Sequence, residues 1–168
     1  MYTLYHHPFC PHSRFVRLVL GEHGLDLRLV EERAWERREG FLLLNPAANT
    51  PVLMADGFPP IPGAGVIAEY LDETHGLEAG DRRLLPAAMG ERVEVRRLMA
   101  WFNDKFFEEV SNPLVTERIY KRFMSEENGG GAPSTDVIRA AKVNVRYHLA
   151  YIGWLAQTRN FLAGDRLT

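Results

Sequence analysis

Cys10 is the only cysteine in the sequence, and its position favours chemistry. It follows the β-type run Tyr2–Tyr5 and stands directly before Pro11, a residue type that suits the first turn of a helix. The helix dipole and the free N–H groups at a helix N-terminus stabilise a thiolate. The position therefore predicts thiolate chemistry at Cys10, and a buried, unreactive cysteine is the alternative.

The polar neighbours of Cys10 leave a second question open. His12 stabilises a thiolate electrostatically if it faces the sulfur, and it is a solvated loop residue if it does not. His6 and His7 are not expected to share a metal ion, because adjacent strand residues point to opposite faces of a sheet. The sequence has neither four metal ligands at a suitable spacing nor a Cys-x-x-Cys site, so no metal site is predicted. A single cysteine forms no internal disulfide, which predicts a reducing compartment.

The first half of the chain alternates strand-type and helix-type segments. Val16, Val19 and Leu20 recur at helical spacing after Pro11, and Gly24 supplies a C-terminal stop. Prolines and glycines separate the segments that follow. The predicted elements after this first helix are a strand Leu27–Glu31, an apolar run Phe41–Leu44 ended by Asn45-Pro46, a hairpin of Thr50–Met54 and Phe58–Ile61, and a helix carrying Val66, Ile67, Tyr70 and Leu71.

The second half is helical by pattern. Residues 75–90 lose periodicity, which predicts an interdomain linker. A helix is predicted over Glu91–Leu114 with a break or kink at Asn112-Pro113, and the helical pattern then continues over Val115–Met124. A last helix ends near Asn160, and His148 on it is expected to be a packed core histidine. Its apolar stripe contains Val137, Ala141, Val145, His148, Ile152 and Leu155.

The composition is that of an ordinary globular protein. The chain has 168 residues, of which 46% are hydrophobic and 25% charged, with a formal charge of -2 at pH 7. This length predicts one domain or two small ones.

Phosphate binding needs a clustered positive field, so a dedicated nucleic-acid binder is not expected. The start lacks a basic and an apolar signal region and no stretch approaches a membrane span, which predicts a cytoplasmic protein.

Four stretches spread along the chain carry a family resemblance. They are Cys10–Leu18, Asn45–Leu53, Ile67–Leu71 and Phe161–Asp165. In these stretches the sequence resembles the glutathione transferase family. The resemblance implies an α/β thioredoxin-like N-terminal domain followed by an all-α C-terminal domain, in a homodimer.

The resemblance also implies domain limits. The thioredoxin-like domain is expected over residues 1–76, a linker over 77–87 and the helical domain over 88–168. In the family the helical domain continues well past the Gly-Asp motif that matches residues 164–165. The second domain is therefore expected to be incomplete, with bare apolar faces on the helix of residues 137–158.

A sulfur site follows from the same resemblance. Cys10 occupies the position that contacts the glutathione sulfur in the family, and Ser13 holds the second motif position, as in monothiol sites. Thr50-Pro51 corresponds to the cis-proline bond of the thioredoxin plan. The backbone of Thr50 is therefore expected to bind the cysteinyl part of glutathione.

The rest of the implied glutathione site departs from the family pattern. Gly63 and Ala64 stand where the family usually has the Glu-Ser pair that binds the γ-glutamyl carboxylate, and Asn49 stands where a lysine often assists the glycyl end. Each lost charge-assisted hydrogen bond costs about 1.5 to 3 kcal/mol, so two or three such losses weaken binding by about a thousandfold or more. Glutathione is therefore expected to be a weakly bound cofactor. Free N–H groups at Ala64 either accept another carboxylate or form a bare helix cap.

Three further segments resemble one bacterial subgroup of the family. They are Leu4–Pro8, Trp101–Phe106 and Arg146–Leu149. The founding member of that subgroup binds the division protein FtsZ and regulates constriction, so the resemblance implies FtsZ as a partner. Three functions follow: an FtsZ-binding division regulator with weak or no transferase activity, a glutathione-dependent transferase or thiol reductase that uses Cys10, and a redox-sensing adaptor. Whether the protein is an enzyme stays open.

Overall fold

The chain forms two compact units. A computed structural model describes residues 1–168, apart from the side chain of Asp81. The first unit contains Met1–His75 and Phe123–Gly131, and the second contains Gly76–Arg122 and Ala132–Thr168. The domain limits predicted from the sequence stay a prediction.

The first unit is built on a four-stranded mixed sheet with the strand order β2-β1-β3-β4. Strand β1 pairs in parallel with β2 and antiparallel with β3, and β3 pairs antiparallel with β4. The predicted strand-helix-strand opening and the existence of a hairpin are therefore confirmed, but the second strand of the hairpin is Ile61–Pro62 and not Phe58–Ile61. The elements are β1 (Tyr2–His6), α1 (Pro11–Glu22), β2 (Leu27–Glu31), α2 (Glu39–Leu42), β3 (Val52–Met54), β4 (Ile61–Pro62) and α3 (Ala64–His75).

The apolar faces of α1 and α3 form much of the core of this unit. Val16 and Leu20 on α1, and Ile67 and Leu71 on α3, are completely buried. A spacing of four residues places each pair on one helix face. Burying a side chain of this size contributes about 1.5 to 3 kcal/mol. This packing fixes the N-terminus of α1, where Cys10 lies, beyond the end of β1.

Glu32 is a charged residue whose side chain is buried in this unit. Its backbone N–H donates to the His6 carbonyl at 2.8 Å. Its carboxylate accepts one hydrogen bond from Arg38 Nε at 3.3 Å and another from Arg38 Nη2. A buried carboxylate needs such a partner, so the ion pair ties the end of β2 to the residue before α2.

The second unit is helical. It contains α4 (Met89–Ala100), a π-helix (Trp101–Ser111), α5 (Asn112–Arg118) and α6 (Thr135–Thr158). The prediction of one α-helix over Glu91–Leu114 is wrong within the π-helix. Pro113 gives part of the reason, because it has no N–H to donate to the Glu109 carbonyl four residues earlier. Asn144 Nδ2 on α6 donates to that carbonyl instead, at 3.2 Å.

His148 is the centre of the contact between α6 and the π-helix. It is completely buried, and its Nε2 lies 2.9 Å from Glu109 Oε2. The rings of Trp101 and Phe106 lie 5.4 and 4.9 Å from the His148 ring. Hydrogen bonds between residues five apart bring Trp101 and Phe106 onto the same side of a π-helix. The prediction of a packed core histidine is confirmed.

Helix α6 buries one face and exposes apolar residues elsewhere. Ala141, His148 and Leu155 are spaced by seven residues and form the buried face, whereas Val137 of the predicted stripe is exposed. The expected bare apolar surface on this helix is confirmed. Its most exposed large apolar residues are Val143, Tyr147, Leu149 and Trp154.

Candidate functional site

Cys10 lies at the N-terminus of α1, as the sequence predicts. It is the N-cap residue of the helix, and its Sγ accepts a hydrogen bond from the Ser13 N–H at 3.4 Å. The Cys10 N–H donates to the His7 carbonyl at 3.0 Å, which fixes the turn between β1 and α1. Only 8% of the residue is exposed. The sulfur therefore lies close to the positive end of the helix dipole, and the residue is almost completely shielded from solvent.

Ser13 supports the turn that carries Cys10. It is buried in the first turn of α1, and its Oγ accepts a hydrogen bond from the His7 N–H at 3.4 Å. One serine thus contacts the sulfur through its backbone and the end of β1 through its side chain. His12, between Cys10 and Ser13, is half-buried. The proposed roles of Ser13 and His12 in catalysis stay predictions.

His6 and His7 are buried at the end of β1. Burial lowers the pKa of both imidazoles, because the charged form loses solvation. The His7 ring packs against Trp35 at 5.1 Å and Phe9 at 6.0 Å between ring centroids. Both histidines therefore favour the neutral form and contribute packing to the end of β1. Trp35 and Phe9 were missed by the sequence interpretation, although both are aromatic residues close to the ends of strands.

Thr50 is brought to Cys10 from forty residues further along the chain. Cys10 Sγ donates to the Thr50 carbonyl at 3.6 Å. The Thr50-Pro51 peptide bond is cis, so that prediction is confirmed. The sulfur therefore has an acceptor, the Thr50 carbonyl, and a donor, the Ser13 N–H, as partners at the same time. The structure thus places the two residues of the predicted sulfur site together.

The predicted γ-glutamyl end lies at the start of α3. The Gly63 N–H donates to the Pro51 carbonyl at 3.2 Å, so the Thr50-Pro51 segment contacts both Cys10 and Gly63. Gly63 has φ of 92°, a left-handed conformation that favours glycine. Ala64 is the first residue of α3 and is buried. The Gly63 N–H is thus occupied within the fold, so of these two residues Ala64 offers the backbone N–H for a carboxylate, and neither has a side-chain donor.

Asn49 makes a contact that the sequence interpretation missed. Its Oδ1 accepts a hydrogen bond from Asn45 Nδ2 at 2.8 Å. Asn45 is itself almost completely buried. The Asn-Pro dipeptide after an apolar run was interpreted only as a helix stop, and a buried asparagine has no signature in sequence spacing. Asn49 as a contact for the glycyl end of glutathione stays a prediction.

A pocket of about 420 Å3 lies in the helical unit. Glu94 lines it and accepts two hydrogen bonds from Arg97, each 2.7 Å, and one from Arg159 Nη1 at 2.5 Å. Arg159 Nη1 also donates to the Leu162 carbonyl at 2.8 Å. Glu94 therefore anchors the segment that follows α6. Hydrogen bonds from Arg97, and then from Arg159, lower the pKa of Glu94 to about 2.

This anchor predicts an acid-dependent loss of stability. The pKa of Glu94 is lower in the folded chain than its ordinary value of 4.5, so the carboxylate stabilises the fold above pH 4.5 and loses that effect as the pH falls toward 2. Because the cluster is partly exposed to solvent, the contribution is about 1 kcal/mol. Glu94→Gln is expected to reduce the difference in the free energy of urea unfolding between pH 6 and pH 3. Glu91→Gln, a change at an exposed carboxylate, is the control, and an equal reduction in both variants contradicts the assignment to Glu94.

Two further features are absent from the described residues: a metal-ligand cluster and a helix long and apolar enough to cross a membrane. Among them, no group of three or more histidine, cysteine, aspartate or glutamate side chains has a geometry that holds a metal ion. Within the same part of the chain, no helix has the combination of length and hydropathy that a membrane crossing requires.

Comparisons with known proteins place the chain in a family. The N-terminal domain model of glutathione S-transferases matches residues 4–79. FtsZ-localized protein A of Caulobacter vibrioides is 38% identical over 169 residues, which span 99% of this chain and 71% of that protein. The chain belongs to the glutathione S-transferase family. The predicted fold class, a thioredoxin-like domain followed by a helical domain, is confirmed.

Solved structures of the family agree with this assignment. A glutathione S-transferase from Sinorhizobium meliloti is 49% identical, with a TM-score of 0.97 over 100% of this chain and 73% of the other. FzlA from C. crescentus is 38% identical, with a TM-score of 0.87 over 99% of this chain and 72% of the other. Both likenesses extend over both units of the chain.

Proposed function

We propose that this glutathione S-transferase family protein binds FtsZ and regulates bacterial cell division, with weak or no transferase activity. The observation that carries the proposal is the 38% identity to FtsZ-localized protein A, which extends over 99% of the chain. The same identity and a TM-score of 0.87 relate the chain to the FzlA structure. The proposed partner is therefore the filament-forming division protein in the cytoplasm.

The geometry of the sulfur site supports weak transferase activity. Cys10 and Thr50 are in contact, as a site for the cysteinyl part of glutathione requires. The γ-glutamyl end has only backbone donors, because Gly63 and Ala64 carry no polar side chain. Catalysis needs the tripeptide held in a fixed orientation, so the loss of side-chain contacts at one end lowers both occupancy and rate.

Co-sedimentation with FtsZ filaments tests the proposal. Purified protein is mixed with FtsZ and GTP, and the filaments are pelleted. The protein is expected in the pellet at micromolar concentration with GTP, and in the supernatant with GDP, which does not support filaments. Recovery in the supernatant under both conditions would refute FtsZ binding.

We also propose a homodimer as the functional form, because the family resemblance implies one. Light scattering coupled to gel filtration measures the mass of the particle directly. A mass of about twice the 19.2 kDa chain is expected, and a mass of one chain at all concentrations contradicts the proposal.

A second candidate function is that of a glutathione-dependent transferase or thiol reductase. The specific observation in its favour is that Cys10 Sγ has both the Ser13 N–H and the Thr50 carbonyl as partners. Glutathione binding is a general property of family homologues. Cys10 is the proposed sulfur contact, and Thr50, Asn49, Gly63 and Ala64 are the proposed contacts of the remaining tripeptide. Titration calorimetry that shows no heat of binding at millimolar glutathione contradicts this candidate.

Restoring one lost hydroxyl predicts a gain in glutathione affinity. Ala64→Ser places a donor at the first residue of α3, where the N–H groups and the dipole already favour a carboxylate. A charge-assisted hydrogen bond of this kind corresponds to an increase of about tenfold or more in affinity, measured by calorimetry.

The control for this variant is Val66→Ser, which adds a hydroxyl at an exposed position two residues later in the same turn. Positions two apart on a helix point in different directions, so this change is expected to leave the affinity unaltered. Equal affinities for Ala64→Ser and the parent protein exclude Ala64 from the carboxylate site.

A further inference from the structure

Asn45 is a buried polar residue at the start of the loop that leads to Thr50. Its side chain makes three hydrogen bonds. Nδ2 donates to the Asn49 carbonyl at 2.9 Å and to Asn49 Oδ1 at 2.8 Å, and Oδ1 accepts from the Ala47 N–H at 3.1 Å. Both polar atoms of the amide are thus occupied inside the loop. Buried amides in this situation determine local backbone conformation, because any alternative leaves a buried group unpaired.

The backbone of the same loop is held in an uncommon conformation. Ala48 has φ of 51°, in the left-handed region that residues with a Cβ rarely adopt. Such a conformation persists only where surrounding contacts hold it. The Ala48 N–H donates to the Asn45 carbonyl at 3.0 Å, and the Asn45 N–H donates to the carbonyl of the core residue Phe41 at 2.9 Å. Asn45 therefore joins the loop to the core through its backbone and closes it through its side chain.

The closed loop ends at the sulfur. Asn49 directly precedes Thr50, and the Thr50 carbonyl lies 3.6 Å from Cys10 Sγ. The two hydrogen bonds from Asn45 Nδ2 to Asn49 thus act one residue away from the carbonyl that accepts a hydrogen bond from the thiol. No side chain of the loop is charged, so hydrogen bonding and packing determine its position.

We infer that Asn45 is a positioning residue, which holds the Thr50 carbonyl over Cys10 Sγ and thereby sets the access and reactivity of the thiol. The inference rests on the second candidate function, in which Cys10 is the residue that contacts the glutathione sulfur. In the closed loop the thiol donates to Thr50 and is shielded. When the loop opens, the sulfur becomes accessible to an electrophile or a disulfide.

The rate of Cys10 alkylation by iodoacetamide tests this inference. The thiolate displaces iodide to form a carbon–sulfur bond, and the thiol proton goes to solvent. Cys10 is the only cysteine, so the labelling rate reports on it alone. Asn45→Ala and Asn45→Asp are each expected to raise the second-order rate constant at pH 8 at least fivefold, because local opening becomes more frequent. The aspartate keeps an acceptor for Ala47 but has no donor for Asn49.

Leu43→Ala is the matched control. Leu43 lies two residues before Asn45 and is 79% exposed, so this change leaves the three hydrogen bonds of the Asn45 side chain in place. Its labelling rate is expected to stay within twofold of the parent rate. If Asn45 has only a structural role, its substitution lowers the melting temperature but leaves the rate of Cys10 labelling unchanged well below that temperature.

The outcomes separate cleanly. A parent-like rate for Asn45→Asp, or an equal acceleration in Leu43→Ala, overturns the inference. If Asn45→Ala does not fold, Asn45→Asp decides. The assay contains neither FtsZ nor glutathione, so it reads the role of Asn45 independently of whether either ligand binds. If the parent protein labels as slowly as a fully protected thiol while the variants label faster, the result supports the positioning role of Asn45 and contradicts a catalytic role of Cys10.

Discussion

Phe41→Ala is expected to lower the free energy of unfolding of the sheet-containing unit by about 3 to 5 kcal/mol. Phe41 on α2 is only 1% exposed, and its ring packs against Tyr5 of β1 with 6.1 Å between centroids. Removing the ring leaves a cavity that the surrounding residues fill only in part. Urea unfolding followed by circular dichroism measures the effect.

Leu43→Ala is the control for this change, since Leu43 lies two residues further along and is 79% exposed. It is expected to alter the free energy of unfolding by less than about 0.5 kcal/mol. Phe41→Ala keeps the backbone carbonyl that accepts from the Asn45 N–H, but the cavity allows this segment to move, so faster labelling of Cys10 is also expected. Similar losses of stability in both variants contradict the role of Phe41 as the anchor of this segment.

Cys10→Ser is expected to abolish thiol labelling and any mixed disulfide with glutathione, while leaving the fold and FtsZ co-sedimentation unchanged. A serine at the N-cap still accepts a hydrogen bond from the Ser13 N–H, because serine is a favourable N-cap residue. Mass spectrometry after exposure to oxidised glutathione measures the adduct, and the pelleting assay measures FtsZ binding.

The comparison variant is Cys10→Ala, which removes both the thiol and the cap acceptor. It is expected to lose about 0.5 to 2 kcal/mol of stability that the serine variant retains. Loss of FtsZ binding in both folded variants contradicts a thiol-independent division role and favours the redox-sensing adaptor.

The residues close to one another in sequence were predictable for local physical reasons. The turn from β1 into α1 follows from a proline at a first helical turn, and the core faces of α1 and α3 follow from a spacing of four residues. The position of Cys10 at a helix N-terminus therefore needed no tertiary information. The cis bond at Thr50-Pro51 and its place beside Cys10 came from the family resemblance, because no local rule pairs residues forty apart.

The π-helix shows where pattern reasoning failed. The apolar residues of 91–114 fit an α-helical period well enough to predict one helix. Two residues of α6, outside that segment, contact it: His148 packs against both Trp101 and Phe106, and Asn144 supplies the donor that Pro113 lacks.

The sequence by itself determined the order of the strands and helices around Cys10 and the position of this cysteine at the start of α1, because both depend on residue type and short-range spacing. The meaning of the missing polar side chains at Gly63 and Ala64 came from the family resemblance. Only the tertiary structure decided that Glu32 is buried beside Arg38 and that Asn45 closes the loop over the sulfur. Burial turns an ordinary polar residue into a positioning one, since a group removed from water must find a partner in the protein. Which group becomes that partner depends on the packing of the folded chain.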